Sequence, residues 1–254
     1  MAISIQTSHL QAELIIDDIQ FSGKAYLRAI AVQDKYKTFE DSRVLSQETD
    51  ELLRDAQTVA LQHQAKILLA GFRAGQIELP DQQNPPRGFE FYTDFIGLTA
   101  TTDNLRDQPA EGQIIRRIPL TADRIREFID IHQEGMRGVP NVPFLTEDSV
   151  RQHLMEGNLH LVEVSDGQVI GHYDLSIQAD HLSADLDEIA ILPEWRNCGL
   201  GRQIITELAG QLASSGIKKL SIIVASSNTA ALRLYRRLGF NGETLYSRWF
   251  RRML

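Results

Sequence analysis

The segment Asp187-Glu-Ile-Ala-Ile-Leu-Pro-Glu-Trp-Arg-Asn-Cys-Gly-Leu-Gly-Arg-Gln-Ile-Ile205 constrains the fold more than any other stretch. It reads as a buried strand ended by Pro193, a short polar run, and Gly199-x-Gly201 at the start of a helix. The first backbone N–H groups of a helix lack intrahelical partners and point outward, so such a start suits an anion. Glycines there remove Cβ atoms and let a pyrophosphate approach the backbone closely. Arg196 and Arg202 bring positive charge to the same edge. The physical reading is a phosphate-binding turn between a strand and a helix.

What is missing narrows the ligand. A P-loop requires Gly-Lys-Ser/Thr, and the chain has Gly201-Arg202-Gln203. A dinucleotide-binding turn wants a third glycine near Ile204 and an acid ending the next strand, which here ends in Ala225-Ser226-Ser227. Alone, Gly-x-Gly after a strand fits a purely structural turn about as well, so the rest of the chain must decide.

From Gln113 onward the pattern alternates regularly. Gln113–Leu120 is a strand, and Thr121 caps a helix to about Gly135 with Ile125, Phe128, Ile129 and His132 on one face. A loop with two prolines, Gly135 to Phe144, precedes a second helix capped by Thr146 and running to about Glu156. Leu159–Val164 and Val169–Ile177 form a hairpin across the turn signal Asp166-Gly167. Leu186–Leu192 is a strand, Gly201–Ser215 a helix, Lys218–Ala225 a strand, Asn228–Leu238 a helix and Glu243–Met253 a strand. This order predicts an α/β domain built on a mixed sheet with helices on both faces.

The first half is less regular and predicts a smaller α+β domain. Strands are expected at Gln11–Phe21 and Lys24–Val32, a long helix from about Thr49 to Gly75, and a strand at Phe89–Ala100. His63 lies near the apolar stripe of that helix without a companion ligand and reads as a packed or surface residue. Pro80–Gly88 and Thr101–Gly112 read as linkers, with the domain boundary in the second, dividing the chain into 1–112 and 113–254. No internal repeat and no catalytic motif is legible in residues 1–112.

Composition excludes several classes. With 43% hydrophobic and 24% charged residues, the chain has the apolar mass for a true core. No stretch approaches the roughly 18 apolar residues of a membrane span. The N-terminal MAISIQTSHLQAELIIDD lacks the basic start and apolar middle of a signal peptide. Residues 1–112 carry 10 basic and 17 acidic side chains, against 16 and 17 in 113–254. That acidic half disfavours nucleic-acid and acidic-membrane partners. The single cysteine, Cys198, excludes an intramolecular disulfide and a cysteine-cluster metal site, and the seven histidines form no HExxH or comparable close pair. The expectation is a cytoplasmic protein that holds no metal.

A second motif decides the ligand. Asn228-x-x-Ala231-x-x-x-Tyr235-x-x-x-Gly239-Phe240 lies one strand downstream of the turn. Together with Pro193-Glu-Trp-Arg196-x-x-Gly199-x-Gly201, in this order and spacing, it resembles the GNAT N-acetyltransferase superfamily over residues 113–254. The resemblance implies the mixed-sheet acyl-CoA N-acyltransferase fold and acetyl-CoA as cosubstrate. It implies that Arg196, Asn197, Cys198, Gly199, Leu200, Gly201 and Arg202 hold the pyrophosphate of coenzyme A. The strand edge Ile189, Ala190, Ile191 would pair with the pantetheine amides, and the Ile191 N–H would stabilise the developing oxyanion. Asn228 would help to hold the cofactor arm, and Tyr235 would protonate the departing thiolate. Tyr235 also has a packing role open to it, beside Leu232 and Leu238. Glu188 is the first candidate for general base, working through a water, with His172, Tyr173 and Asp174 as rivals. Cys198 reads as a bystander, because direct transfer requires no acyl-cysteine.

The acceptor is expected to be an amine, held by Met136 to Phe144 and the region of His172 to Asp174, with Met136, Val139, Val142 and Phe144 as an apolar wall. Three functions fit: transfer to a small amine, coenzyme A sensing without efficient turnover, and acetylation of a protein docked by the N-terminal domain. Family members are often dimers, so the resemblance also allows a homodimer.

Overall fold

The computed structural model describes residues 2–36, 41–106, 115–142, 144–155 and 158–254. The chain forms two compact units, Met1–Ile96 with Leu245–Leu254, and Gly97–Thr244. The boundary expected at residue 112 falls within the second unit, in a stretch outside the described residues.

In the first unit, β1 (Ala2–Gln6), β2 (Leu10–Ile15), the short helix α1 (Ile19–Ser22) and β3 (Lys24–Val32) lead to helix α2 (Ser42–Gln62) and strand β4 (Ile67–Arg73). Strands β1, β2 and β3 are antiparallel neighbours, and β3 is parallel to β4 across α2. Helix α2 buries Leu52, Leu53, Ala56 and Ala60 in a core with Leu14, Leu27, Leu68 and Phe250. Two expectations are corrected here. The strand expected to Phe21 stops at Ile15, and the helix expected to Gly75 stops at Gln62. Gln64 takes a left-handed φ of 63°, which ends the helix, and the following run Ile67–Arg73 is a buried strand. A short apolar run has no period of its own, so burial decided what periodicity could not. His63 is exposed at the C-cap of α2.

Strand β5 (Glu90–Thr101) runs into the second unit, followed by helix α3 (Thr102–Arg106), where a linker was expected. Then come β6 (Ile115–Pro119), α4 (Ile125–Gly135), α5 (Glu147–Leu154), β7 (Leu159–Val164), β8 (Val169–Ile177), β9 (Ser183–Ile191), α6 (Leu200–Ser214), β10 (Lys219–Ala225), α7 (Thr229–Leu238) and β11 (Asn241–Met253). The strand order is β6-β7-β8-β9-β10-β5-β11, antiparallel from β6 to β9, with β9 and β10 parallel across α6. This is the mixed sheet that the alternation predicts. Helix α4 buries Ile125 and Phe128 against Leu159, Leu161 and Val169.

Strands β8 and β9 are held very close. A Cβ on Gly171 would lie 2.3 Å from the Ala190 carbonyl oxygen. Gly171→Ala is therefore expected to destabilise the fold by about 1–3 kcal/mol, through forced separation of the strands. A lowered urea midpoint at unchanged slope is the measurement.

The two units share a connectivity that residue patterns do not reveal. In each, a three-stranded antiparallel run (β1-β2-β3, β7-β8-β9) continues through a helix (α2, α6) into a parallel neighbour (β4, β10). The helix starts differ in chemistry. The Asp41 side chain accepts hydrogen bonds from the Arg43 and Val44 N–H groups, so the start of α2 carries its own anion. Helix α6 starts on Gly199, which has no side chain to do this.

Candidate active site

The turn between β9 and α6 is open in the way an anion site needs. After a 3-10 turn at Pro193–Trp195, Asn197 and Gly199 take left-handed conformations with φ of 62° and 88°. A Cβ on Gly199 would meet nothing within 4 Å, so the space above the helix start is clear. The first bond of the helix runs from the Gln203 N–H to the Gly199 carbonyl, which leaves the N–H groups of Leu200, Gly201 and Arg202 pointing out of the start. Gly201 lies against Leu234, where an added Cβ would come within 3.1 Å of its side chain. Arg202 has a buried Nε without a hydrogen-bond partner among the described residues. These groups fit a pyrophosphate.

Arg196 sits in this turn and is exposed, but its guanidinium is engaged by backbone carbonyls. Its Nε donates to the Ile191 carbonyl at 3.0 Å and its Nη2 to the Gly135 carbonyl at 2.8 Å, tying the turn to the ends of β9 and α4. Cys198 is exposed and donates to the Trp195 carbonyl, away from any base among the described residues.

Beside the turn the sheet parts. The ladder between β9 and β10 runs from Ser183/Lys219 to Leu186/Ile222 and stops there. On the other side β9 stays paired with β8 to Ile191, with Asp187 as an extra residue between the pairs Leu186/Leu175 and Glu188/Asp174. A bulge bends the strand that carries it. Ile189, Ala190 and Ile191 thus form an edge with no strand partner on the β10 side among the described residues. The Leu192 N–H bonds to the Ile170 carbonyl toward β8. Alternation along a strand therefore directs the Ile191 and Ile189 N–H groups to the open edge.

Helix α7 supplies the phenol. Its amphipathic face buries Leu232, Tyr235 and Leu238, and the Tyr235 ring lies 5.8 Å from that of Phe240. Burial pushes the Tyr235 phenol up to about 12, so it is protonated throughout the neutral range. Asn228 is the N-cap of this helix, its Oδ1 accepting from the Ala231 N–H at 3.2 Å, which leaves only its amide N–H groups for other partners.

Glu188 is not alone. His132 on α4 and His172 on β8 converge on it, with the three ligand-type atoms within 4.8 Å of one another. The His132 Nδ1 lies 3.2 Å from the Glu188 Oε2, an ion-pair distance. The two rings are 5.2 Å apart, and Phe128 packs on His172 at 4.6 Å. Both histidines are 0% exposed, whereas the Glu188 side chain keeps 27% of its surface. Burial pushes the Glu188 carboxyl upward, but His132, then His172, outweigh it and hold the group below the ordinary glutamate range. Burial pushes His172 down to about 4, so its ring is neutral at pH 7.

The rivals for general base separate by face. His172 points at Glu188, and Asp174 lies opposite it in the ladder. Tyr173 is on the other face, stacked at 4.7 Å on His160, with its phenol pushed up to about 12 by burial. His132 was placed by sequence only on the apolar face of its helix, from which nothing distinguishes a packed ring from one that meets a carboxylate. In the loop expected to hold the acceptor, Met136, Val139, Val142 and Phe144 are half-buried, and Asn141 adopts a φ of 57° with both amide atoms buried and without a hydrogen-bond partner among the described residues.

Residues 125–240 match the model of the acetyltransferase (GNAT) family. Over 67 residues the chain is 37% identical to the ribosomal protein bS18-alanine N-acetyltransferase of Escherichia coli K12, covering 26% of this chain and 45% of that protein. The chain thus spans about half the length of the curated relatives it matches, 45% in this case and 54% in the same-named protein of Haemophilus influenzae. Among solved structures, a GCN5-related N-acetyltransferase from Sphaerobacter thermophilus aligns over 96% of this chain and 76% of its own, with a TM-score of 0.63 at 17% identity. A tandem GNAT protein from the clavulanic acid biosynthesis pathway aligns over 97% of this chain and 79% of its own, with a TM-score of 0.58 at 15% identity. At such identities the likeness to solved structures is one of fold. Residues 125–240, a little under half of the chain, thus carry a sequence match to the acetyltransferase (GNAT) family, and the likeness to solved structures adds the fold.

Proposed function

We propose that this protein is an N-acetyltransferase that moves an acetyl group from acetyl-CoA to a primary amine by direct attack. The observation that carries the reading is the parting of β9 from β10 beside an uncapped helix start: a slot lined by free backbone donors that ends at a phosphate-sized turn.

The roles follow from position. The N–H groups of Leu200, Gly201 and Arg202 take the pyrophosphate, and Arg196 keeps the turn in place through its two carbonyl contacts. The open edge from Ile189 to Ile191 takes the pantetheine amides. As the amine attacks the thioester carbon, the Ile191 N–H stabilises the negative charge on the carbonyl oxygen. Glu188 accepts the proton that the amine must lose, through a water. When the C–S bond breaks, the Tyr235 hydroxyl gives its proton to the sulfur, and the phenolate regains one from solvent. Glu188→Gln keeps the shape and removes the acceptor, and is expected to lower kcat by about 10²-fold in steady-state thiol release.

Only one cofactor site is proposed per chain. The start of α2 is filled by Asp41, and the buried Glu48 behind it is taken up by Thr7 and by the His9 N–H at 2.8 Å. Calorimetric titration with acetyl-CoA is expected to give a stoichiometry near one, and a value near two would make the first unit a second cofactor domain.

For the acceptor we favour a small amine, because the half-buried Met136, Val139, Val142 and Phe144 offer a short apolar wall. A protein N-terminal amine is the second reading, favoured by the name of the E. coli relative. Thiol release on a panel of small amines and of N-terminal peptides separates them, and no turnover on either with tight acetyl-CoA binding would leave a coenzyme A sensor.

A further inference from the structure

We propose that His132, His172 and Glu188 form a binding site for one divalent transition-metal ion of the zinc class. The donors come from α4, β8 and β9, held by the fold and not by a local motif. Two imidazoles and a glutamate are a zinc-type ligand set, and imidazole with carboxylate selects zinc, cobalt or nickel over magnesium or calcium.

Four features point to an ion. Both ring nitrogens of His172 and the Nε2 of His132 have no hydrogen-bond partner among the described residues, and the His132 Nδ1 has only the Glu188 carboxylate beside it, although both rings are completely buried. Buried polar groups are paired as a rule, and each unmet one costs free energy. One ion would satisfy a nitrogen of each ring at once. The His132 Nδ1 to Glu188 Oε2 distance of 3.2 Å is close to the edge of a zinc tetrahedron, about 3.3 Å for metal–ligand bonds near 2.0–2.1 Å. The carboxylate supplies negative charge beside the two imidazoles. The exposed 27% of Glu188 provides both an entry path and a coordination position open to water.

The consequence rests on the acetyltransferase reading above. A carboxylate that ligates a metal cannot also accept the proton of the amine. Metal occupancy and turnover therefore exclude each other, and zinc acts as an inhibitor that a chelator removes.

The test uses the full chain, freed of metal by a chelator and dialysed. Titration with zinc against a chromophoric competitor is expected to show one ion per chain, and cobalt(II) to give the visible absorption of a four-coordinate site. His132→Asn and Glu188→Gln are each expected to weaken zinc binding by at least about tenfold, and to remove the cobalt spectrum. Glu188 is partly exposed and its glutamine is isosteric, so this variant stays folded even where a histidine variant does not; melting curves check both. Folded wild-type protein that binds neither metal, or variants that bind as tightly as wild type, would overturn the site. Zinc bound with undiminished thiol release would overturn the shared role of the carboxylate. Zinc binding together with no thiol release from any amine by the metal-free protein would uphold the site while removing the acetyltransferase reading, so the two fail separately.

Discussion

Gly199→Trp is expected to weaken acetyl-CoA binding by at least about 100-fold, which corresponds to roughly 2.7 kcal/mol. Two effects add. The space into which a side chain at 199 would project is empty of protein, with nothing within 4 Å of its Cβ, and it is the same space in which a pyrophosphate would meet the N–H groups of the helix start. The backbone at 199 also has a φ of 88°, a conformation that costs an L-residue about 1–2 kcal/mol, so the turn itself is pressed to rearrange. The fold should survive, because the turn is exposed and the indole displaces no core residue. Calorimetry with acetyl-CoA, paired with thermal melting, is the measurement. Unaltered affinity in a folded variant would remove the cofactor from this turn.

Tyr235→Phe is expected to lower kcat by roughly 10³-fold with little change in acetyl-CoA affinity. The ring is buried between Leu232 and Leu238, and phenylalanine preserves that packing. What is lost is one hydroxyl, whose proton burial holds in place to a pH of about 12. A packing role alone would leave kcat close to wild type, since the two side chains fill nearly the same volume. Pre-steady-state measurement of thiol release separates the chemical step from product release. A thioester with a better leaving group should recover part of the loss, because it needs the proton less.

Much of the second unit was legible in advance because its local signals agree. The strand ended by Pro193, the glycines of the turn, the Asp166-Gly167 hairpin and the amphipathic stripe ending at Gly239 each point to an element that the structure contains. The first unit was read less well for a physical reason. The run from Ile67 to Phe72 is continuously apolar, so neither a period of 3.6 nor a period of two can be assigned to it. Its identity as a strand comes from pairing with Lys24–Leu27 on one side and Ser247–Met253 on the other. The common connectivity of the two units was invisible for a related reason: many sequences satisfy one strand–helix–strand arrangement, and where α6 starts on Gly199, α2 starts on Asp41.

The same division holds at the site. Sequence by itself determined the turn, the phenol and the strand carrying Glu188, because glycine spacing, a helix start and a motif within one helix are short-range properties. Tertiary structure alone decided that Arg196 ties the turn to two backbone carbonyls, that Asn228 caps α7, and that Tyr173 faces away from Glu188. It also brought His132 and His172 to that carboxylate from positions 56 and 16 residues earlier in the chain. Side chains that far apart meet only because α4, β8 and β9 pack together, and no pattern along the chain encodes the point at which three elements converge.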